Sequence, residues 1–403
     1  MATFLDKVQT SWREQKRVQQ TEQWLVHIVR NTLEFMFDVI LFPILKKIHW
    51  IPTSRRQLAL AEEKLMSYMP KPYESSFVDI GRIGNSVDTC RIYTMKFAKD
   101  DSEASTLPLV LLHGLGCGGP MWLLNFEELS RRRDVYAIDL LGFGRSSRPD
   151  LSGDAWIAEM QMVYAIEEWR RRVALERFVL VGHSLGGFLA SSYAIRHPSR
   201  VAHLVLEDPW GFPEFRPDRP LGKRMPTWTK LVQSTLNHMN ALAGVRMLGP
   251  LGPKVMEISL AAGAEQYFGA VVSDRTVIPN YIYHCNVRKP SGEILFKNLS
   301  VHFGWTKYPM VYRLVHLDPQ VPITFIYGSL TFITKKPAFR IREERKGCYV
   351  DIQVIKESGH NIHMEKAGEF NMKVTAVCEM ADQDEESFSG ERNHAEVDVD
   401  YRQ

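Results

Sequence analysis

Phe178-Val-Leu-Val181-Gly182-His183-Ser184-Leu185-Gly186-Gly187-Phe188-Leu-Ala-Ser-Ser-Tyr-Ala194 decides how the rest of the chain is read. Residues 178–181 are apolar at every position and short, as a buried strand is, and residues 188–194 suit a helix. Between them stands a serine with glycines two residues before and two after. A sharp strand-to-helix turn forces the residue at its tip into a strained backbone angle, and flanking glycines leave room for it. The serine then sits at a helix N-terminus, whose dipole favours developing negative charge. G-x-S-x-G alone is a common pattern. The strand before it and the helix after it make this one a nucleophile elbow, with Ser184 as the candidate nucleophile. The alternative is a glycine-rich strand exit carrying an inert serine.

Further apolar runs lie on both sides: Leu109–Leu112, Val135–Ile138, residues 204–206, residues 323–327 and Val350–Ile355. Short strands apolar on both faces, with helical stretches between them, predict a mostly parallel sheet with helices on both faces. An elbow on such a sheet predicts the α/β-hydrolase fold. The stretch from Leu206 to Ile323 is too long for one crossover. Pro213, Pro217, Pro220 and Pro226 open it, and Trp228, Phe268, Tyr281, Tyr283, Phe296, Phe303 and Trp305 follow. It is expected to be a lid insertion over the carboxyl edge of the sheet, its aromatics suited equally to a long-acyl pocket or to packing within the lid. The expected organisation is an N-terminal extension (residues 1–70), a core (71–211 and 321–381), the lid (212–320) and a disordered acidic tail (382–403) with few large apolar residues to bury.

The chemistry expected of the elbow needs three more parts. Leu109–Leu112 leads into His113-Gly114-Leu115-Gly116. In this fold the turn after that strand gives one oxyanion donor and the residue after the nucleophile gives the other, so the amides of Leu115 and Leu185 are the candidates. His113 is expected to be a structural turn histidine. The general base comes last in the chain, and His360 fits, following the strand Val350–Ile355 and the turn Glu357-Ser358-Gly359. His363 lies past that turn and ranks below it. The acid normally ends the preceding strand, but the run from Ile323 through Gly328 to Thr334 holds no carboxylate. Thr334, at the usual position, can accept a hydrogen bond but cannot stabilise an imidazolium electrostatically. Asp208, which ends the earlier strand, is the substitute; its alternative role is to cap the turn Pro209-Trp210-Gly211. Asp318 is less well placed.

The bulk properties narrow the class. The 403 residues carry a net charge of +3, and no dense basic stripe suggests nucleic-acid binding. Arg131-Arg132-Arg133 and Arg170-Arg171-Arg172 are short enough to be solvated helix ends. The five cysteines are scattered, without metal-binding spacing, which predicts a reducing compartment and no structural zinc. With no G-x-G-x-x-G or Walker loop, no metal, nucleotide or redox cofactor is expected. The start shows no secretory pattern, and Asp6, Glu14 and Glu22 weigh against a mitochondrial presequence while leaving a mitochondrial location open. Leu25, Ile28, Val29, Leu33, Met36, Phe37, Ile40 and Leu41 recur at helical spacing up to Pro43. The charge-free run, residues 39–45, falls far short of the about 20 apolar residues a membrane span needs. An amphipathic helix in the membrane interface is expected instead, with Lys46, Lys47 and Trp50 at head-group level; the alternative is a helix packed on the protein's own core.

Several longer stretches carry a family resemblance: Trp122-Leu-Leu-Asn125-Phe-Glu-Glu-Leu129, Leu140-Leu-Gly142-Phe-Gly144-Arg145-Ser146-Ser147-Arg148-Pro149, the elbow itself, Asp208-Pro-Trp-Gly-Phe-Pro213 and Tyr281-Ile-Tyr-His-Cys-Asn286. With Trp50-Ile-Pro-Thr-Ser54 and Ala61-Glu-Glu-Lys64, the chain resembles, over residues 50–380, the α/β-hydrolase-domain subfamily of the comparative-gene-identification lipase co-activator and the (lyso)-N-acylphosphatidylethanolamine lipase. The resemblance implies a lipid-metabolising protein. One member type deacylates N-acylated phosphatidylethanolamine and its lyso form with the elbow serine. The other has asparagine there, binds lipid-droplet proteins, activates triacylglycerol lipase and is associated with acyl-CoA-dependent acylation of lysophosphatidic acid. Ser184 aligns this chain with the serine type. The family's C-terminal His-x₄-Asp motif, linked to acyl transfer, matches His360 to Glu365 with the acid one methylene longer; His203 to Asp208 spells the same pattern along a strand and is taken as coincidence. The co-activator has an arginine in the segment matching Ser329-Leu330, where this chain has none.

Two functions follow as expectations. The first is an enzyme acting on acyl groups of phospholipids or lysophospholipids, with water as acceptor for lipase action or a lysophospholipid as acceptor for acyl transfer, and acyl-CoA as a co-substrate of the latter. The second is a weakly active adaptor that recruits a triacylglycerol lipase or a droplet coat protein. Both place the chain in the cytoplasm, peripheral on membranes or lipid droplets.

Overall fold

The computed structural model describes residues 53–100, 106–215, 242–302 and 305–400. The expected amphipathic N-terminal helix, the beginning of the insertion with Pro217, Pro220, Pro226 and Trp228, and Phe303 lie outside the described residues. The strands are β1 (Glu74–Gly81), β2 (Cys90–Phe97), β3 (Leu109–Leu112), β4 (Val135–Ile138), β5 (Phe178–His183), β6 (Val201–Glu207), the small pair β7 (Ser300–His302) and β8 (Trp305–Thr306), β9 (Ile323–Gly328) and β10 (Val350–Ile355). The main sheet runs β1-β2-β4-β3-β5-β6-β9-β10. β2 is antiparallel to β1 and β4, and every later pairing is parallel.

Pleating explains why the central strands read as unbroken apolar runs. Phe178 and Leu180 of β5 point into one hydrophobic cluster, and Val179 and Val181 into another on the opposite face. β3 divides in the same way, Val110 and Leu112 against Leu109 and Leu111. A sheet covered on both faces needs apolar side chains at both phases of the pleat. β1 breaks this rule, with most of its residues exposed, so no apolar run marks it in the sequence. β2 is mostly buried, but Arg91 and Lys96 interrupt its apolar run.

The helices are α1 (Arg55–Met66), α2 (Phe126–Leu129), α3 (Ala155–Arg172), α4 (Leu185–Arg196), α5 (Ala243–Met247), α6 (Gly252–Phe268), α7 (Val277–Asn286), α8 (Ser291–Leu299), α9 (Lys336–Glu344), α10 (Ile362–Glu365) and α11 (Ala367–Asp400). Helices α5 to α8 belong to the stretch between β6 and β9 expected to be an insertion. Helix α1 falls within the expected N-terminal extension, yet Leu58, Ala61, Leu65 and Met66 are buried in the same cluster as Leu109 and Leu111 of β3. Ser54 caps its start, accepting from the Gln57 amide at 3.1 Å.

The acidic tail expected to be disordered from residue 382 is instead the continuation of α11. The apolar period Phe370, Val374, Val377, Cys378 and Ala381 pins the first half of this helix in the core. Its acids then meet bases. Asp382 lies 2.9 Å from the buried guanidinium of Arg133 and also accepts the Leu107 amide at 2.9 Å, and Glu385 pairs with Arg177. Composition registers the acids but not the arginines brought to face them. Removing one partner of a buried pair strands the other charge, so Asp382→Ala is expected to cost about 3 kcal/mol. Urea unfolding of the two proteins measures it; a cost below about 0.5 kcal/mol, the level of an exposed pair, would contradict a structured start to this segment.

Candidate active site

The site begins with a backbone constraint. Ser184 adopts φ 52° and ψ −115° between β5 and α4. Its amide donates to the Glu207 carbonyl at 3.0 Å, and its carbonyl accepts from the Trp210 amide at 3.0 Å, so β6 and the turn after it hold the strained residue from one side. Helix α4 closes on β5 so tightly that a Cβ at Gly182 would stand 2.5 Å from the Gly186 carbonyl, and one at Gly186 would stand 2.4 Å from the Leu112 carbonyl. Both glycines of the elbow are therefore required by close backbone approach.

His360 reaches the serine from the turn after β10. Its Nε2 lies 3.0 Å from Ser184 Oγ and its Nδ1 lies 3.1 Å from Asp208 Oδ2. Asp208, at φ 38°, is fully buried at the carboxyl end of β6, and its Oδ1 accepts the Gly328 amide at 3.3 Å. Burial pushes its carboxyl above the usual range, while the hydrogen bond to His360 pulls the other way. With Nδ1–H donated to Asp208, Nε2 is left to accept the serine proton, the arrangement a nucleophile–base–acid relay uses. Thr334 is exposed and its hydroxyl accepts the Lys336 amide at 3.4 Å; Asp318 accepts its own neighbour Gln320. Neither contacts the imidazole.

The oxyanion candidates lie beside the elbow. A Cβ at Gly114 would come within 3.2 Å of the Ser184 Cβ, so the turn after β3 is pressed against the nucleophile. Among the described residues, the Leu115 and Leu185 amides have no hydrogen-bond acceptor, which leaves both donors free. Asn286, at the end of α7, donates to the Gly116 carbonyl at 2.8 Å and so fastens that helix to the turn. His113 is a turn residue: one ring nitrogen accepts the Leu140 amide at 3.0 Å and the other lies 2.8 Å from the Gly114 carbonyl.

Behind the relay sits a shell that sequence reasoning did not assign. His183 Nε2–H donates to the His360 carbonyl at 3.0 Å. Glu207 Oε1 accepts both the His363 amide at 2.9 Å and His363 Nδ1 at 2.8 Å. All three side chains are buried, and burial pushes His183 and His363 down to about 3 and Glu207 up to about 7. Their ligand atoms lie within 4.8 Å of one another, a spacing a cation could use, but the hydrogen bonds above already engage both rings. The signal available in sequence was Glu207 itself, a buried acid directly after the apolar run of residues 204–206. Glu365, the acid of the His-x₄-Glu pattern, does not touch the His360 ring. It accepts the amides on either side of it, Gly359 at 2.5 Å and Asn361 at 3.1 Å, and so fixes the turn that carries the base. His203 is buried in β6 and bonded to the Thr324 hydroxyl at 2.9 Å, away from this group, which separates the second His-x₄-Asp spelling into unrelated parts.

Similar proteins agree with this architecture. A family model described as the alpha/beta hydrolase fold matches residues 108–254. The chain is 43% identical over 331 residues to the 1-acylglycerol-3-phosphate O-acyltransferase ABHD5 of Mus musculus, covering 82% of this chain and 91% of that one. It is 39% identical over 331 residues to the (lyso)-N-acylphosphatidylethanolamine lipase of Homo sapiens, covering 82% and 94%. Among solved structures it resembles the carboxylesterase CesB (YbfK) from Bacillus subtilis, with TM-score 0.54, 18% identity and coverage of 80% and 97%. It also resembles a bacterial membrane phospholipase A, with TM-score 0.56, 19% identity and coverage of 86% and 98%. These two likenesses are of fold alone. The chain belongs to the α/β-hydrolase family, in the branch that holds this acyltransferase and this lipase.

Proposed function

We propose that the protein is a serine-dependent enzyme acting on the acyl groups of phospholipids or lysophospholipids. The observation that carries this is the contact series Ser184 to His360 at 3.0 Å and His360 to Asp208 at 3.1 Å, set at a strained elbow. Ser184 Oγ attacks the acyl carbonyl as His360 Nε2 takes its proton, and the carbonyl oxygen gathers charge facing the Leu115 and Leu185 amides. His360 returns the proton to the departing oxygen or nitrogen, or to the sulfur when the donor is an acyl-CoA thioester, leaving an ester on Ser184. Water, deprotonated by the same nitrogen, releases the fatty acid; a lysophospholipid hydroxyl in its place completes acyl transfer. Asp208 holds the imidazole in the required tautomer and stabilises the imidazolium in both halves.

The lipid substrate is supported by the surroundings as well as by the relatives' names. Leu330 and Phe332 are 74% and 76% exposed on the loop beside the base, and the Phe332 ring lies 4.8 Å from the His360 ring. Exposed apolar residues at a site mouth suit a substrate presented from an apolar phase. They fit a peripheral position on a membrane or lipid droplet, and among the described residues no helix is long and apolar enough to cross a membrane. An adaptor role toward a triacylglycerol lipase or a droplet coat protein is also consistent with this branch of the family; the carboxylate on His360 favours the enzyme, with acyl-CoA as the donor if the acceptor is a lysophospholipid.

Two experiments test the proposal. A fluorophosphonate probe should label the folded protein at Ser184 and leave Ser184→Ala unlabelled; unlabelled wild-type protein that is folded by circular dichroism removes the covalent route. Asp208→Asn should lower turnover by about ten-thousand-fold, as an amide in place of this carboxylate does in a serine protease. Thr334→Ala should change it by less than about threefold, within the scatter of surface substitutions. Comparable losses from both would assign the acid elsewhere.

A further inference from the structure

Three arginines near the carboxyl edge of the sheet have, among the described residues, no carboxylate within ion-pair distance. Arg148 follows β4; it donates to the carbonyls of Lys289 at 2.8 Å, Cys285 at 2.8 Å and Gly144 at 3.1 Å, and its Nε–H is buried without an acceptor. Arg288, just past α7, donates to the same Gly144 oxygen at 3.1 Å. Arg55 begins α1 and is exposed; two residues earlier the Thr53 hydroxyl lies 2.7 Å from His284 Nδ1, which seats the start of α1 on α7, and the Arg55 charge acts on Arg288. Among the described residues none of the three has a carboxylate partner.

Their neighbours are treated differently. Arg246 is paired with Glu293, Arg145 with Glu62 at 2.8 Å and Lys289 with Asp150 at 2.8 Å. Asp139 acts on Arg148 and Arg288 and Glu293 on Arg148, but only at a distance: the Asp139 oxygens bond the amides of Gly119 and Arg145, each at 2.7 Å, and Glu293 bonds Arg246, so three cations face two acids that touch none of them. Arg345 also bonds to carbonyls alone, at Leu317, Asp318 and Val321, yet shares none of them with a second cation. Two guanidinium groups on one oxygen, with a third charge acting on one of them, is an arrangement that like-charge repulsion opposes. Burial, then Arg148 and Arg55, push Arg288 down to about 10.

We propose that Arg55, Arg148 and Arg288 form a binding site for a phosphate monoester. Planar guanidinium forks match phosphate oxygens, and a dianion offsets more of the excess charge than a carboxylate would. The place is suited to a substrate. Asn286, two residues before Arg288, donates to the Gly116 carbonyl of the candidate oxyanion turn. A lysophospholipid whose phosphate rests on the arginines would have its glycerol end toward the same edge of the sheet as Ser184. The anion site stands by itself; its use as a substrate anchor rests on the enzymatic reading above.

Calorimetric titration of the full chain tests it without turnover. The ligands are a short-chain 1-acylglycerol 3-phosphate below its micelle concentration, the matching 1-acylglycerol, and inorganic phosphate. The phosphorylated lipid should bind at least about tenfold more tightly than the neutral one, the scale of charge-assisted hydrogen bonds. Arg288→Gln should remove about tenfold of that affinity and the exposed Arg55→Gln about threefold, while Arg342→Gln, an equal charge change on α9, should leave it intact. Inorganic phosphate that competes supports the site with the anion alone as sufficient ligand; phosphate that does not compete, beside tight lipid binding, supports a site for the lipid-borne group. Equal affinity for the phosphorylated and neutral lipids, or the same loss in all three variants, overturns it. Labelling of wild-type Ser184 reads the catalytic claim separately, so binding with no labelling, or labelling with no binding, shows which of the two fails.

Discussion

The bond between Asp208 and His360 holds the account together, because it joins positions 152 residues apart through a carboxylate that water cannot reach. A buried carboxylate is costly unless its oxygens are satisfied. Here one oxygen takes the imidazole and the other the Gly328 amide, so leaving β6, β9 and the turn after β10 in register is a condition of keeping the charge bonded. On its other side β6 pairs with β5, and that register brings the Glu207 carbonyl to the Ser184 amide. The strained serine and the distant histidine are therefore held by one strand end, residues 207 and 208, rather than by separate devices.

The shell beneath the relay adds stiffness. His183 grips the His360 carbonyl, Glu365 grips the amides on either side of it, and Glu207 grips His363 one turn later. A base whose backbone is bonded from three directions has little freedom to leave the serine. Such support for a reacting side chain is what keeps a constellation within the narrow geometry that catalysis needs. The unpartnered second oxygen of Glu207 is the weak point of this shell, a buried acceptor left without a donor.

Much of the fold was legible in the sequence, because its strongest signals are local. The elbow, the central strands and the turns after β3 and β10 each announce themselves within a dozen residues, so Ser184, His360 and the Leu115 and Leu185 amides could be named as candidates. Thr334 at the usual acid position made Asp208 a candidate, but whether it reaches the imidazole depends on β6 pairing beside β9 in a given register, which no local pattern encodes. The same limit hid Glu207 against His363, Asn286 against Gly116 and Arg133 against Asp382. Exposed β1 was illegible for the opposite reason: a strand that buries only Ile80 needs no apolar run.

The most direct measurement is a crystal structure of the protein after reaction with a lipid-like phosphonate. The account predicts a bond from phosphorus to Ser184 Oγ, a phosphonyl oxygen facing the Leu115 and Leu185 amides, and His360 still held by Asp208. Phosphorus on another residue, or His360 turned away from Asp208 onto a different carboxylate, would contradict it.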